Sequence, residues 1–375
     1  VADDFAVEIR RHLTLRGWSQ RQLAKTARID PGDLSKMLSG QKTPSPAQLS
    51  RIDAALHAGG KVADADVPRA RAAVPRRRLT GADAAAVRST LATFRQLDNQ
   101  SGGAHVHHLA AAYLDRTVAP MLRDGTYSES DGRDLFGAAA QVAHVAAWTA
   151  YDNGDARGAE KYFARALELA AAAGDGTFTG EVLAARSHRA VHLGIPDRAV
   201  DLARAARHAG GSGTPALTAE AMELEANALA LLGDRSGCLA SLAACEQAFA
   251  RAAPDSTPEW LGYFDRSYLS ARTAHTLRDL GDWEAAREHA AEAARMALPR
   301  AQVFNVLIVA TTWVEDDRDA ATVTGRQALT MTAGMQSGRA SAYTKDLRRR
   351  LRRRYGSGDP EVALFDEECR ELLGS

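Results

Sequence analysis

Apolar residues recur three and four positions apart along most of this chain, in short bursts broken by Gly, Asp or Pro. That spacing puts them on one face of a helix. Residues 3–16 carry Phe5, Ile9 and Leu13 on one face, and Gly17 ends the segment. Ser19 is a favoured N-cap for a second helix, Gln20 to Ala27, which buries Leu23, Ala24 and Ala27. Asp30 caps a third helix, with Pro31 at its first position, where a missing N–H costs nothing. Leu34, Met37 and Leu38 face inward there, and Gly40 closes it. Pro44-Ser45-Pro46 opens a fourth helix with Leu49, Ile52 and Leu56 apolar, ending at Gly59-Gly60. No sustained alternation of Val, Ile, Thr and Tyr reads as a sheet. The fold class is all-α.

From residue 140 the pattern becomes self-similar. "HVAAWTAYDNGDARGAEKYFARALELA", "SHRAVHLGIPDRAVDLARAARHAG", "ELEANALALLGDRSGCLASLAACEQA", "RTAHTLRDLGDWEAAREHAAEAARM" and "ATTWVEDDRDAATVTGRQALTM" each read as helix, Gly- or Asp-marked turn, helix. The second helices share small residues at fixed offsets: Ala159/Ala166, Ala199/Ala206, Cys238/Cys245, Ala286/Ala293 and Ala321/Ala328. Phe163, Ala203, Leu242, Ala290 and Gly325 sit between them. Surplus residues such as "GGSGTPAL" and "RAAPDSTPEWLG" fall in inter-repeat loops. Residues 82–135 add helices before the first clear repeat. Residues 339–373 add a basic helix and a terminal one, which read as a cap.

Composition sharpens the division. The chain has 375 residues and no net charge, with 45% hydrophobic and only 6% aromatic residues. Residues 1–78 hold 15 basic and 8 acidic side chains, a net of +7, so the rest carries −7. A basic head on an acidic body fits a nucleic-acid module joined to a different one. Between them, residues 59–81 have two Gly at the start, two Pro and no apolar period, and read as a basic linker. A flexible coil of that length spans roughly 25 Å, while half-sites one helical turn apart lie about 34 Å apart. A dimer built on the large domain would thus place two readers on one operator. Arg76-Arg77-Arg78 reads equally as a phosphate contact or a solvated run. The domains expected are therefore 1–58, 59–81 and 82–375.

The stretch "WSQRQLAKTARIDPGDLSKMLSGQKTPS" with "LSRIDAAL" resembles the lambda-repressor-like (Cro/CI, XRE) helix-turn-helix family. Gln20, Leu23-Ala24, Leu34, Gly40 and Pro44 fall in its register. The resemblance implies that Gln20 binds a DNA phosphate and that the third helix lies in the major groove. The DNA-binding residues it implies are Ser19, Gln20, Arg21, Gly32, Asp33, Ser35, Lys36, Ser39 and Lys42. Only Lys36 suits guanine O6/N7 well, so shape contributes to recognition. Many members pair an Arg on the first helix with a Glu late in the third; Leu13 and Leu38 stand at those positions here. The bland alternative is a four-helix protein-contact module.

The repeats resemble the tetratricopeptide repeat (TPR), in pattern more than identity. The expected architecture is a lambda-repressor-like head on a TPR-like α-solenoid. That pairing resembles the RRNPP and actinobacterial XRE–TPR regulators, in which a homodimer binds a double-stranded DNA operator. It implies a peptide or small-molecule effector on the concave face built from first helices. By register that face holds Gln141, His144, Trp148, Tyr151, Asp152, His188, His192, Glu220, Glu223, Asn227, Tyr268, His275 and Arg278. Asn227 stands out as an amide able to donate and accept, and Glu220 and Glu223 favour a positively charged ligand. The competing reading is a TPR interaction adaptor with minor or no DNA binding.

Other chemistry finds little support. No P-loop, nucleophile triad or paired catalytic carboxylates emerge, so an enzyme is not expected, and no cofactor is implied. His105, His107 and His108 cluster but lack further ligands at useful spacing, so no metal is expected. Cys238 and Cys245 occupy small-residue positions and read as core. "RRRLRRRY" keeps Leu347, Leu351 and Tyr355 at a spacing of four, an apolar stripe on a solvated helix. No apolar leader opens the sequence and no stretch is long enough to span a membrane, so the expected location is cytoplasmic.

Overall fold

The computed structural model describes residues 4–58, 62, 77–101, 103–211, 213–253, 255, 257–293, 299–332 and 338–373, without side chains at several helix ends. It divides into two compact units, Val1–Arg77 and Arg78–Ser375.

The first unit contains α1 (Asp4–Arg16), α2 (Gln20–Ala27), α3 (Pro31–Leu38) and α4 (Pro46–Leu56). Ser19 and Ser45 form capping boxes at α2 and α4, each bonding reciprocally with the Gln three residues on. The Asp30 carboxylate caps α3 through the Asp33 N–H at 3.0 Å. Ile9, Leu13, Leu23, Leu34, Met37, Leu38, Leu49, Ile52 and Leu56 make one core. Each such side chain stabilises the fold by about 1.5–3 kcal/mol. Leu13 and Leu38 share this core, as their apolar pairing requires; the Phe5 side chain lies outside the described residues. The turn into α3 is made by Arg28, a non-glycine residue at φ 52°, whose carbonyl accepts from Arg51 Nη1 at 3.1 Å.

The linker reading needs trimming at both ends. Val62 is fully buried in the first core, and its N–H donates to Asp53 Oδ1 at 2.8 Å. Leu79 is buried in the second unit, and its N–H donates to the Thr126 carbonyl at 2.8 Å. Apolar side chains at these two positions bring the backbone with them. Residues 63–76, including Arg76, lie outside the described residues.

The second unit starts with α5 (Gly81–Ser101), α6 (Gly103–Tyr113), a π-helical turn at Leu114–Val118 and α7 (Ala119–Asp124). Five helical hairpins follow. They are α8 (Glu129–Asp152) with α9 (Ala156–Ala173), α10 (Gly176–His192) with α11 (Pro196–Gly210), and α12 (Pro215–Leu231) with α13 (Arg235–Phe249). Then come α14 (Arg266–Leu280) with α15 (Trp283–Ala293) and α16 (Pro299–Trp313) with α17 (Arg318–Thr332). The first helices from α10 to α16 pack in a row, each on the next. The repeated turns have one physical cause. Gly154 and Gly233 adopt φ near +78°, and Asp155 and Asp234 then cap the second helices. All ten paired small residues are buried, so neighbouring helices approach closely.

Two elements close the array, α18 (Gly338–Tyr355) and α19 (Pro360–Leu373). Leu347, Leu351 and Phe365 are fully buried. A Cβ on Gly325 would come 2.8 Å from Phe365 and 2.9 Å from Leu347, so any larger residue crowds this cap.

Candidate DNA-reading face and inner polar network

Of the nine expected DNA-binding residues, Gln20 and Arg21 lie on α2 and Gly32, Asp33, Ser35 and Lys36 on α3, with Ser19, Ser39 and Lys42 in the flanking turns. Gln20 and Arg21 occupy the first turn of α2 and are exposed. A helix N-terminus favours an anion there, because its N–H groups lack intrahelical partners. Along α3, Gly32, Ser35 and Lys36 are exposed. Gly32 has a local reason: a Cβ would approach the capping Asp30 carboxylate to 3.0 Å.

Four of the nine residues are occupied otherwise. Lys42 forms an ion pair with Asp33, so neither presents a free charge as a base reader or phosphate contact would. The Ser19 hydroxyl accepts from Gln22 N–H at 3.3 Å, and the Ser39 hydroxyl donates to the Lys36 carbonyl at 3.1 Å. Gln20, Arg21, Gly32, Ser35 and Lys36 stay exposed, with no side-chain bond occupying them among the described residues.

In the second unit the thirteen residues expected on the concave face do lie on the first helices, but eight of them are buried. These are His144, Asp152, His188, Glu220, Glu223, Asn227, His275 and Arg278. Burial takes these eight side chains off the solvent-exposed surface. The physical reason is that two elements outside the repeat pattern pack onto this face: α18, and the loop containing the 3-10 turn Glu259–Leu261.

The side chains sort into three clusters. In the first, Trp148 Nε1–H donates to His144 Nε2 at 2.9 Å, and the Trp148 ring meets His188 edge-on at 5.3 Å. His188 stacks on His192 at 4.5 Å, and Tyr151 meets His192 edge-on. His192 Nε2 is hydrogen-bonded to the Tyr343 hydroxyl of α18 at 2.8 Å, and His275 packs edge-on to that ring. Burial, with the Arg95 charge, pushes the His144 imidazole down to about 3. Burial and then the Arg278 and Arg272 charges hold His275 well below its ordinary value. Both rings are neutral at pH 7.

The second cluster is a lock. Glu223 accepts from Arg272 Nε at 3.0 Å and from the Thr276 hydroxyl at 2.8 Å. Arg272 Nη2 donates to Asn227 Oδ1 at 3.2 Å, and Asn227 Nδ2 donates to Asp279 at 3.1 Å. Arg278 is bound to Asp279. The amide expected to meet a peptide backbone is used at both ends, and Glu223 and Arg278 are neutralised. Asn227, Glu223 and Arg278 thus serve as internal ties.

The third cluster holds unspent chemistry. The Tyr263 hydroxyl lies 3.1 Å from Glu181 Oε1 and 2.8 Å from Glu220 Oε1, and its single proton serves one of them at a time. The two carboxyls face each other, and Oε2 of each is buried with no other hydrogen-bond partner among the described residues. Burial, and then the Glu220 charge, raises Glu181 well above the usual carboxylate range; burial raises Glu220 too. Trp260 from the same loop packs edge-on to Phe178 beside the pair. Gln141 accepts from Arg95 at 3.3 Å, and Tyr268 packs on Tyr263.

Sequence reasoning missed Glu181, Tyr263, Arg272, Thr276, Asp279 and Tyr343. Glu181, Arg272 and Thr276 sit on the same first helices, and a full register count would have reached them. Tyr263 and Tyr343 come from outside the repeats, and no periodicity signals them. The cysteine reading agrees with the structure. Cys238, Cys245 and Cys369 are buried, and burial pushes their thiols up, Cys238 to about 11. Among the described residues no group of three or more His, Cys, Asp or Glu side chains converges as metal ligands; the His105 side chain is not among them. Among them, too, no helix is long and apolar enough to cross a membrane.

Residues 4–65 match the family model of a helix-turn-helix domain. That match covers the first unit's four helices and Val62. No curated protein matches the chain. Among solved structures, the crystal structure of the P58(IPK) TPR domain aligns over 98% of both chains at 16% identity, with a TM-score of 0.25. So low a score carries no argument, and the repeat architecture rests on the helical hairpins themselves.

Proposed function

We propose that this chain is a sequence-specific DNA-binding transcription regulator, a homodimer of the lambda-repressor-like type. The observation that carries the reading is the face formed by α2 and α3. It presents Gln20 and Arg21 at a helix N-terminus and, one helix away, an exposed Lys36 that forms no ion pair among the described residues. Phosphate contacts position such a domain, and Lys36 reads a base edge in the major groove. The protein is not an enzyme in this reading, and it needs no cofactor.

The repeat unit senses an effector. The packed inner face supports a small ligand rather than an extended peptide, because α18 and the Trp260 loop already occupy that face. Among the described residues it holds the buried carboxyls of Glu181 and Glu220, each with an oxygen left over. They suit a ligand with an ammonium or guanidinium group, which would satisfy both and displace the Tyr263 hydroxyl. An effector acts only through different affinities for two states, and the Trp260–Tyr263 loop is the element that would differ.

The test is binding of the full chain to DNA fragments from upstream of its own coding sequence, with and without small-molecule cell extract. With about 6–10 phosphate contacts, affinity falls roughly 10³–10⁵-fold between 50 and 200 mM salt. A response to extract that is lost in Tyr263→Phe supports the sensor. Specific DNA binding that no extract alters removes the sensor and leaves the reader. A flat salt response, with a protein captured on the repeats, favours the adaptor.

A further inference from the structure

The six arginines of "RRRLRRRY" play no part in the function proposed above, yet they are not a uniform solvated run. Helix α18 holds eight basic residues and one acidic residue, Asp346. Buried Leu347 and Leu351 fix one face to the cap, which turns a set of cations outward. Lys345, Arg348, Arg349 and Arg352, joined by Arg370 of α19, line an open cleft of about 460 Å³. The cleft is lined entirely by cations.

The acids nearby do not cancel it. Buried Asp366 binds Arg348 Nε at 2.9 Å and also Arg352 Nε. This single carboxylate holds two guanidinium groups in place, and their Nη atoms make no hydrogen bond to the described residues. Asp346 binds both Arg349 and Arg350. Arg349 nevertheless remains 76% exposed. Lys345, Arg353 and Arg370 are exposed and form no ion pair among the described residues. Glu367 and Glu371 of α19 do not line the cleft.

We infer that this cleft is a second nucleic-acid contact, which takes the phosphodiester backbone of duplex DNA. Lys345, Arg349 and Arg352 of the cleft, continued by exposed Arg353 beside it, follow one another along about 12 Å of helix. Duplex DNA offers a phosphate every 3.4 Å or so per strand, so such a stripe meets several at once. The exposed, open form of the cleft suits an extended polyanion better than an enclosed small anion. Fixed arginine forks match phosphate oxygens, and they carry no sequence information. The choice of DNA rests on the reading of the first unit given above. The contact adds affinity without specificity.

The experiment compares the full chain with Lys345→Ala/Arg349→Ala/Arg353→Ala/Arg370→Ala, which leaves the Asp366 ties intact. Affinity for a 60-base-pair duplex is measured by fluorescence anisotropy at several salt concentrations. Each lost phosphate contact lowers the slope of log affinity against log salt by about 0.9. The quadruple variant should therefore lose between about 2 and 4 units of slope, with base preference unchanged. The same loss should appear on a Gln20→Ala/Lys36→Ala background. An unchanged slope in a variant with wild-type helicity and melting temperature overturns the cleft. If that result comes while Gln20→Ala/Lys36→Ala abolishes specific binding, the regulator reading stands alone. If the quadruple variant loses slope but Gln20→Ala/Lys36→Ala changes nothing, the cleft stands and the regulator reading fails. Single-stranded RNA or polyglutamate displacing the duplex from the cleft at equal charge concentration also overturns the assignment to DNA.

Discussion

Replacing Glu181 with Gln should change how stability depends on pH, and the structure fixes the sign. Glu181 and Glu220 share the Tyr263 hydroxyl, and Oε2 of each is buried with no partner but the other carboxyl among the described residues. Burial raises both carboxyls, and the Glu220 charge raises Glu181 further. Above the ordinary carboxylate value the unfolded chain has lost protons that the folded chain retains. Stability therefore falls as pH rises through the folded values, by about 1.4 kcal/mol per pH unit for each retained proton. Buried His144 and His275 act in the opposite direction. Their folded values are depressed, so below about 6.5 the unfolded chain gains protons that the fold refuses, and stability rises with pH there. The glutamate effect is therefore cleanest from pH 6.5 to 8, and the histidines cancel in the difference between variant and wild type.

Glu181→Gln supplies an amide that can donate to Glu220 and removes the like charge. The variant should gain on wild type as pH rises over that window, by at most about 1.4 kcal/mol per pH unit. For a unit of 298 residues, unfolding entropy of about 2.1 cal/mol/K per residue makes each kcal/mol roughly 1.6 °C. The gain is then at most about 2 °C in Tm per pH unit. Thermal unfolding followed by circular dichroism at pH 6.5, 7.0, 7.5 and 8.0 measures it. Parallel stability curves for the two proteins would refute a proton held by the pair.

Lys36→Ala should cost about 1–3 kcal/mol at the best DNA site and relax base preference there, while Gln20→Ala weakens all sequences alike; competition binding against randomised duplexes separates the two. Arg272→Met should destabilise the repeats by about 3–5 kcal/mol, because it strands the buried Glu223 carboxylate, and adding Glu223→Leu should recover most of that in denaturant titrations. Gly325→Ala should cost about 1–3 kcal/mol and loosen the α18–α19 cap, read as faster amide exchange in those helices, because its Cβ would crowd Phe365 and Leu347.

The sequence by itself determined what local physics determines. Helix ends at Ser19, Asp30 and Ser45 follow from side chains that bond their own next turn, and the structure repeats them. The hairpins follow from an apolar period and glycine turns, and the interlocking from small residues at fixed offsets. The row of first helices carrying His144, Glu220 and Asn227 was equally legible, because register alone assigns a face. Tertiary structure decided whether those residues are available. Asn227 is spent on Arg272 and Asp279, and Lys42 on Asp33. Glu220 acquires Tyr263 from the following inter-repeat loop, and His192 acquires Tyr343 from 151 residues away. A polar side chain's chemistry depends on what satisfies or buries it. Those partners arrive from segments with no shared period, so only the folded chain brings them together.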